Sequence, residues 1–346
     1  MLDSFVMPEL SSPAGWLPLV FALVMALAML AYVILDGYDL GVGILLGRAA
    51  NDADKDSMVA SIGPFWDANE TWLVLGVGIL LVAFPMAHGV ILGALYLPVA
   101  AMLLGLTLRG VAFDFRVKAH AEHKALWDRT FSAGSLLAGW SQGYMLGSLI
   151  TGFRDDVWSY LFNALIGLCL LAAYCLLGAG WLIIKTEGAL QRSAVAWARA
   201  SLGLTALGIA AISAATPLVS ARIFDKWFTL SHIAVLLPIP LFTLVLFVLI
   251  ARSLQRLPLR LQQGNPYGIA VPFAGTLGIF LLSFYGLAYS LFPWLVIDRI
   301  SIWQAASSVE ALQVMFYGAA VVLPVIIGYT VFSYRVFWGK STALKY

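Results

Sequence analysis

Charged residues are scarce in this sequence, and their scarcity excludes a soluble protein. Asp, Glu, Lys and Arg make up 11% of the 346 residues, whereas hydrophobic residues make up 62%. An ordinary soluble domain carries about 25% charged and about 45–50% apolar residues. A surface with so little charge would not stay dissolved, so the composition predicts an integral membrane protein.

Two further shortages exclude other classes of protein. The only cysteines are Cys169 and Cys175, in one apolar segment, where a helix would point them in different directions. They predict buried packing residues and argue against a disulfide framework, a zinc motif or a c-type haem motif. Basic residues number 20 and acidic residues 18. No face or arm carries a basic excess, so we expect no nucleic acid partner.

Basic residues are also missing from the start of the chain. Residues 1–15 include Asp3 and Glu9 but no Lys or Arg, and the first basic residue is Arg48. A secretory signal peptide needs a positively charged region before its apolar core. We therefore expect the first apolar segment to stay in the mature protein.

Long apolar segments occupy most of the rest of the sequence. A helix needs about 20 apolar residues to cross a bilayer. We predict nine spans, at 16–46, 67–86, 89–113, 128–152, 158–184, 196–216, 229–251, 268–292 and 311–334. The expected fold class is therefore an all-α, multi-pass membrane protein with nine transmembrane helices. Glycines four positions apart, as at 37 and 41 and at 139, 143 and 147, predict close helix packing.

The distribution of basic residues orients these helices. With nine spans, fifteen Lys and Arg residues fall on the side of the C-terminus and four on the opposite side, while Arg109 lies inside the third span. Cytoplasmic loops carry the excess of Lys and Arg in membrane proteins. The N-terminus is therefore expected outside and the C-terminus in the cytoplasm.

Ionisable residues interrupt the first three predicted spans. The predicted topology brings all of them to one depth, toward the cytoplasmic side of the membrane. Ionisable groups inside a membrane usually mark ion or proton routes and face protein or water. These residues are Asp36 and Asp39 in span one, Asp67 and Glu70 at the start of span two, and Arg109 and Asp114 at the end of span three.

Some of these residues have a purely structural interpretation. Asp67 and Glu70 resemble a capping box, in which acidic side chains satisfy free N–H groups at a helix start. Arg109 could extend to the lipid headgroups or pair with Asp114. Both interpretations stay open beside a functional one.

Asp36 and Asp39 are harder to explain structurally. A carboxylate in the last turns of a helix meets the negative end of the helix dipole, so capping does not account for it. Partly buried carboxylates beside an arginine suit proton transfer, and they also suit binding of a cation or a solute. A secondary transporter that uses Asp36, Asp67 and Arg109 is therefore the alternative function, and a scaffold that conducts nothing is the third.

The same segments contain four long motifs. They read LDGYDLGVG at 35–43, GPFWDANETW at 63–72, RGVAFDFR at 109–116 and GWSQGYMLG at 139–147. These motifs resemble subunit II of the cytochrome bd-type quinol oxidases of bacteria, and the resemblance extends over the whole chain in length, helix number and orientation. Ala68 stands where that family often has glycine, and the short loop at 217–229 resembles the cyanide-insensitive branch.

The resemblance implies a subunit of a terminal oxidase in the bacterial inner (cytoplasmic) membrane. Such a complex oxidises quinol, reduces dioxygen to water and takes up protons from the cytoplasm, so it is an electrogenic quinol:oxygen oxidoreductase. Subunit II pairs with the haem-bearing subunit I in a pseudo-symmetric heterodimer. Each subunit has two four-helix bundles and a peripheral ninth helix, here 16–152, 158–292 and 311–334 of a single domain.

The resemblance also implies roles for individual groups. Haems b and d belong to subunit I, so we expect no haem ligand and no metal ligand in this chain. A ubiquinone bound in this subunit and a small accessory single-helix subunit are further implied features. Asp36, Asp67 and Arg109 are expected to line a cytoplasmic proton uptake route. The supporting residues are expected to be Asp39, Glu70, Asp114, Trp66 and Gln142.

Overall fold

Helices dominate the structure, a computed structural model that describes residues 8–219, 221–229, 233 and 236–341. A 3₁₀ turn, Leu46–Arg48, follows the first helix. The α-helices of the described residues are α1 (Pro13–Leu45), α2 (Asp52–Ile62), α3 (Trp66–Ala83), α4 (Pro85–Ala94), α5 (Tyr96–Lys118), α6 (Ala121–Ile150), α7 (Val157–Lys185), α8 (Gly188–Val219), α9 (Ala221–Phe228), α10 (Pro238–Gln262), α11 (Val271–Leu291), α12 (Ile302–Ala305) and α13 (Val309–Val336).

Eight helices of the described residues are long and apolar enough to cross a membrane. They are α1 with its 3₁₀ turn, α3, α5, α7, α8 up to Thr216, α10, α11 and α13. The chain is therefore a multi-pass membrane protein, as its composition predicted. The predicted span at 128–152 falls in α6, which is 30 residues long but is not one of these eight. Polar and small residues along its length, such as Ser141, Gln142 and Gly143, lower its hydropathy.

Four predicted spans have different boundaries in the structure. The helices that correspond to 128–152 and 196–216 begin earlier, at Ala121 and at Gly188. The segment predicted at 89–113 is divided between α4 and α5, with the break at Leu95, and α5 continues to Lys118. Hydropathy could not locate this break because the residues on both sides are apolar. The segment predicted at 229–251 corresponds to α10, which begins at Pro238 and extends to Gln262; several residues before Pro238 lie outside the described part. Pro238 and Pro240 lie in the first turn of this helix, where proline is tolerated.

A short hairpin departs from the predicted all-α fold. Strands β1 (Trp294–Val296) and β2 (Ile300–Ser301) pair antiparallel between α11 and α12. The Ser301 side chain accepts a hydrogen bond from the Gln304 backbone, and the Gln304 side chain accepts one from the Ser301 backbone. This reciprocal capping begins α12 directly after the second strand.

The chain divides into two compact units, and the first consists of the described part of Met1–Val33 with Asp67–Ala94 and Leu291–Trp338. Hydrogen bonds join its distant segments: the Trp303 indole donates to the Gly15 carbonyl at 2.8 Å, and the Ser307 backbone N–H donates to the Ala83 carbonyl at 2.8 Å. The hydroxyl of Tyr334 donates to Asn69 Oδ1 at 3.2 Å, which links α13 to α3 inside this unit.

The second unit consists of Ile34–Trp66, Leu95–Ser290 and Gly339–Tyr346, of which the last is described as far as Ser341. Within it α5 packs on α6, α6 on α7, α7 on α8, and α8 on α10. Glycine makes the close approaches possible. A Cβ added at Gly143 would lie 2.6 Å from the Cα of Gly167, and one at Gly178 would lie 2.5 Å from the carbonyl carbon of Gly41. The predicted close packing at these glycines is thus confirmed.

Candidate functional site

A buried ion pair joins α1 to α5 within the second unit. Arg109 Nη1 lies 2.7 Å from Asp36 Oδ1, and each side chain is only 1% exposed. Burial of two opposite charges is tolerated only when they compensate each other at short distance. Because the Arg109 side chain is buried, it does not extend to the headgroups, which removes one of its structural interpretations.

The Trp66 ring covers the guanidinium of this pair. Arg109 Cζ lies 5.8 Å from the ring centroid, within the range of a cation–π contact. The ring also packs on Phe113, with centroids 5.0 Å apart, and lies against Gly110, where an added Cβ would approach it to 3.6 Å. Trp66, which the sequence placed among the supporting residues, therefore contacts the ion pair directly.

A second carboxylate lies one helical turn beyond Asp36. Asp39 is fully buried, and residues three apart on a helix lie on neighbouring positions of its surface, about 5–6 Å between Cβ atoms. Tyr38, which lies between these two residues in the sequence, stacks on Trp181 with ring centroids 4.3 Å apart. The structure thus buries Asp36 and Asp39 one turn apart on α1 in the second unit, with Arg109 paired to Asp36.

Gln142 reaches this site through a tyrosine that the sequence did not single out. The Tyr174 hydroxyl donates to Gln142 Oε1 at 2.6 Å, and both side chains are buried. The Tyr174 ring packs on α1 at Gly37, where an added Cβ would lie 2.6 Å from Cε1. The ring lies between Gln142 and the α1 segment that carries Asp36. No sequence signal marked Tyr174, because its contacts with the glycine-rich motifs depend on helix packing.

The other predicted residues are placed differently. Asp114 lies on α5 and is exposed. Asp67 and Glu70 belong to the first unit, where Asp67 is exposed in the first turn of α3 and Glu70 is half-buried. An acidic residue in a first turn complements the helix dipole. The capping interpretation of Asp67 therefore stays open.

A cluster of charged side chains, which the sequence did not predict, lies at the ends of α5 and α6. We define the ion cluster as Lys55, Asp56, Arg116 and Asp128. Arg116 Nε donates to Asp128 Oδ1 at 2.5 Å, and Lys55 Nζ lies 3.0 Å from Asp128 Oδ2. Arg116 Nη1 also donates to Asp56 at 2.7 Å. The hydrogen bond from Lys55 to Asp128 raises the pKa of the Lys55 ammonium above its usual range.

Metal-binding side chains are not grouped in the part of the chain that the structure describes. It holds no group of three or more His, Cys, Asp or Glu side chains that could bind a metal ion. His120 and His123 are exposed beside the turn between α5 and α6, and His88 is half-buried on α4, while His232 lies outside the described residues.

Comparisons with known proteins agree on one family. The family model described as cytochrome bd terminal oxidase subunit II matches residues 17–337. Cytochrome bd ubiquinol oxidase subunit 2 of Bacillus subtilis (strain 168) is 28% identical, over 91% of this chain and 94% of the relative. Cytochrome bd-I ubiquinol oxidase subunit 2 of Escherichia coli (strain K12) is 27% identical, over 92% and 94%.

A solved structure has the same fold. A chain of the bd oxidase from Geobacillus thermodenitrificans superposes with a TM-score of 0.72, at 19% identity, over 93% of this chain and 98% of that chain. The transporter alternative is not favoured by any of these similarities. The chain belongs to the cytochrome bd terminal oxidase subunit II family, as its motifs predicted, and is a subunit of an oxidoreductase complex.

Proposed function

We propose that this chain pairs with a haem-bearing subunit I in a complex that oxidises quinol and reduces dioxygen to water in the bacterial inner membrane. The family membership and the two ubiquinol oxidase relatives support this assignment. Haems b and d belong to the partner, and they supply the electron transfer and oxygen reduction. A bound ubiquinone and a small accessory single-helix subunit are further components of this proposal.

The proposed topology has nine membrane helices, with the N-terminus outside and the C-terminus in the cytoplasm. The ninth is α6, whose 30 residues are long enough to span the bilayer. Fifteen basic residues on the C-terminal side against four on the other support the orientation. In this arrangement 16–152 and 158–292 form the two four-helix bundles and 311–334 is the peripheral helix.

The proposed role of this subunit is to carry protons from the cytoplasm toward the partner. Asp36, Asp67 and Arg109 form the route, and Asp39, Glu70, Asp114, Trp66 and Gln142 support it. The observation that carries the proposal is the ion pair of Asp36 with Arg109, with both side chains 1% exposed. Burial of charged side chains inside a membrane protein costs free energy, and such residues commonly serve ion or proton transfer.

Two buried carboxylates could serve this role. Asp36 pairs with Arg109, and Asp39 lies one helical turn further along α1. A carboxylate held out of water binds a proton more readily than one in solvent. Two carboxylates within one turn therefore suit a site that alternates between holding and releasing a proton.

The proposal is tested by replacing the carboxylates in the complete complex. Asp36→Asn and Asp67→Asn should each slow oxygen consumption, because an amide cannot release a proton, while the haem absorption spectrum stays unchanged. Glu122→Gln is the matched control, since Glu122 is an exposed acidic residue in the first turn of α6.

Three outcomes separate the alternatives. Slower turnover with intact haems supports the proton route. Wild-type turnover in both variants contradicts it and leaves a structural scaffold. Counterflow of a labelled cation in liposomes that contain this chain alone would instead support a transporter.

A further inference from the structure

Helix α2 has a charged first half and a buried second half. Asp52, Lys55 and Asp56 lie in its first turns, and Lys55 and Asp56 belong to the ion cluster. Residues 58–62 are all buried. The ion cluster therefore attaches the exposed end of α2 to the end of α5 and the start of α6, both of which lie in the second unit with α2.

A short connection leads from α2 to Trp66. The Trp181 indole donates to the Ser61 carbonyl at 3.1 Å, which fixes the last turn of α2. The Gly63 backbone N–H donates to the Val59 carbonyl and that of Phe65 to the Ile62 carbonyl, at 3.1 and 2.9 Å. These hydrogen bonds restrict the backbone between α2 and Trp66. A movement of α2 is therefore transmitted to Trp66.

Asp128 is the residue that holds the ion cluster together. Its two carboxylate oxygens bind different cations, Arg116 on α5 and Lys55 on α2, and its side chain is only 8% exposed. Removal of its charge would leave the largely buried Arg116 with Asp56 alone, an acid that is half exposed. A buried cation that loses its partner favours rearrangement of its surroundings.

We infer that Asp128 is a positioning residue for the Asp36–Arg109 pair: the ion cluster fixes α2, and α2 keeps the Trp66 ring on the Arg109 guanidinium. The ring excludes water from one face of the guanidinium and restrains its orientation toward Asp36. When the cluster is lost, Trp66 moves and water reaches the pair, so the proton step slows. This inference rests on the proposed proton route, and it assigns to that route a control point that does not itself exchange protons.

The first experiment uses the complete complex with the substitution Asp128→Asn. We expect oxygen consumption about threefold to tenfold slower at saturating quinol, in the lower part of the range for coupled contacts. The KM for quinol and the haem absorption spectrum should stay unchanged, and amide hydrogen exchange in residues 57–66 should accelerate. Asp128→Glu should restore turnover because it keeps the charge. Arg154→Gln is the control, since Arg154 forms an exposed ion pair with Asp156 at 3.9 Å.

A double substitution distinguishes positioning from a general loss of stability. If Asp128 acts through Trp66, Asp128→Asn combined with Trp66→Phe should be no slower than the slower of the two single variants. Multiplied effects would contradict the inference, as would unchanged exchange in residues 57–66. If Asp128→Asn fails to assemble with haem, Lys55→Gln replaces it, because Lys55 is partly exposed, and the same criteria apply.

Asp36→Asn, measured in parallel, separates this inference from the proposed function. Slower turnover in Asp36→Asn but wild-type turnover in Asp128→Asn overturns the positioning role and keeps the proton route. Wild-type turnover in Asp36→Asn overturns the proton route and, with it, the catalytic consequence of the ion cluster. In that case the exchange measurement still tests whether Asp128 fixes α2.

Discussion

Replacement of Arg109 by glutamine should destabilise the complex more than replacement of both members of its ion pair. In Arg109→Gln the Asp36 carboxylate stays buried without the guanidinium that lies 2.7 Å away. Breaking a buried ion pair from one side costs about 3–5 kcal/mol, most of it the penalty of the remaining charge. Loss of the cation–π contact with Trp66, at 5.8 Å from the ring centroid, adds about 1 kcal/mol.

The double variant Asp36→Asn with Arg109→Gln removes both charges. Two amides can hydrogen-bond to each other, so the loss should fall to about 1–2 kcal/mol. The expected order of stability is wild type, then the double variant, then Arg109→Gln alone. The difference of a few kcal/mol corresponds to a Tm lower by several degrees in the single variant.

The assay is thermal denaturation of the detergent-purified complex, followed by haem absorbance and by residual oxygen consumption. Arg199→Gln is the matched control, because Arg199 is exposed and donates to the Leu254 carbonyl at 2.6 Å; it should lose about 1 kcal/mol. If Arg109→Gln melts with the wild type, or if the double variant loses the sum of the two single effects, Asp36 and Arg109 are not a coupled buried pair.

Three further substitutions or conditions give sharp expectations. Gly143→Val should prevent assembly, measured as the yield of haem-containing complex, because its Cβ meets the backbone of the facing helix at 2.6 Å. Tyr174→Phe should leave assembly intact and shift the vibrational band of the Gln142 amide, since it removes the hydrogen bond of 2.6 Å. The bond to Asp128 raises the pKa of Lys55 above 10.5, so its stabilisation is complete below that pH and is lost as pH rises through the higher pKa. Hydrogen-exchange protection of α2, corrected for the intrinsic rate, should therefore stay level from neutral pH to about 10 and fall above it.

Hydropathy predicted the architecture because membrane insertion depends on local composition. Most predicted spans agree with helices to within a few residues, as for 158–184 and α7. The errors occur where local composition carries no information about a helix boundary or about strand pairing. The break between α4 and α5 lies in uninterrupted apolar sequence, and α10 continues past Arg252 because arginine side chains can reach water from a helix end. The hairpin of β1 and β2 depends on pairing between segments, which hydropathy does not measure.

Part of the site could also be predicted from local composition. Asp36, Asp39 and Arg109 stood out as charges in apolar segments, and the structure buries all three. The pairing of Asp36 with Arg109 could not be predicted from the sequence. The two residues are far apart in the chain, and only the packing of α1 and α5 brings them together. Tyr174 was not predicted, because no sequence signal distinguishes a packing tyrosine in an apolar helix from one that forms a hydrogen bond.

The ion cluster illustrates a further limit of sequence reasoning. Charged residues near predicted span ends are expected to be solvated. Arg116 ends one of the four motifs, but nothing in the sequence pairs it with Lys55 or Asp128. In the structure, Asp128 binds both cations and is almost fully buried. A surface ion pair contributes little, because water and salt screen it; burial removes that screening and couples α2 to α5 and α6. Charges that connect helices can thus resemble ordinary solvated charges in the sequence, and only their burial in the structure distinguishes them.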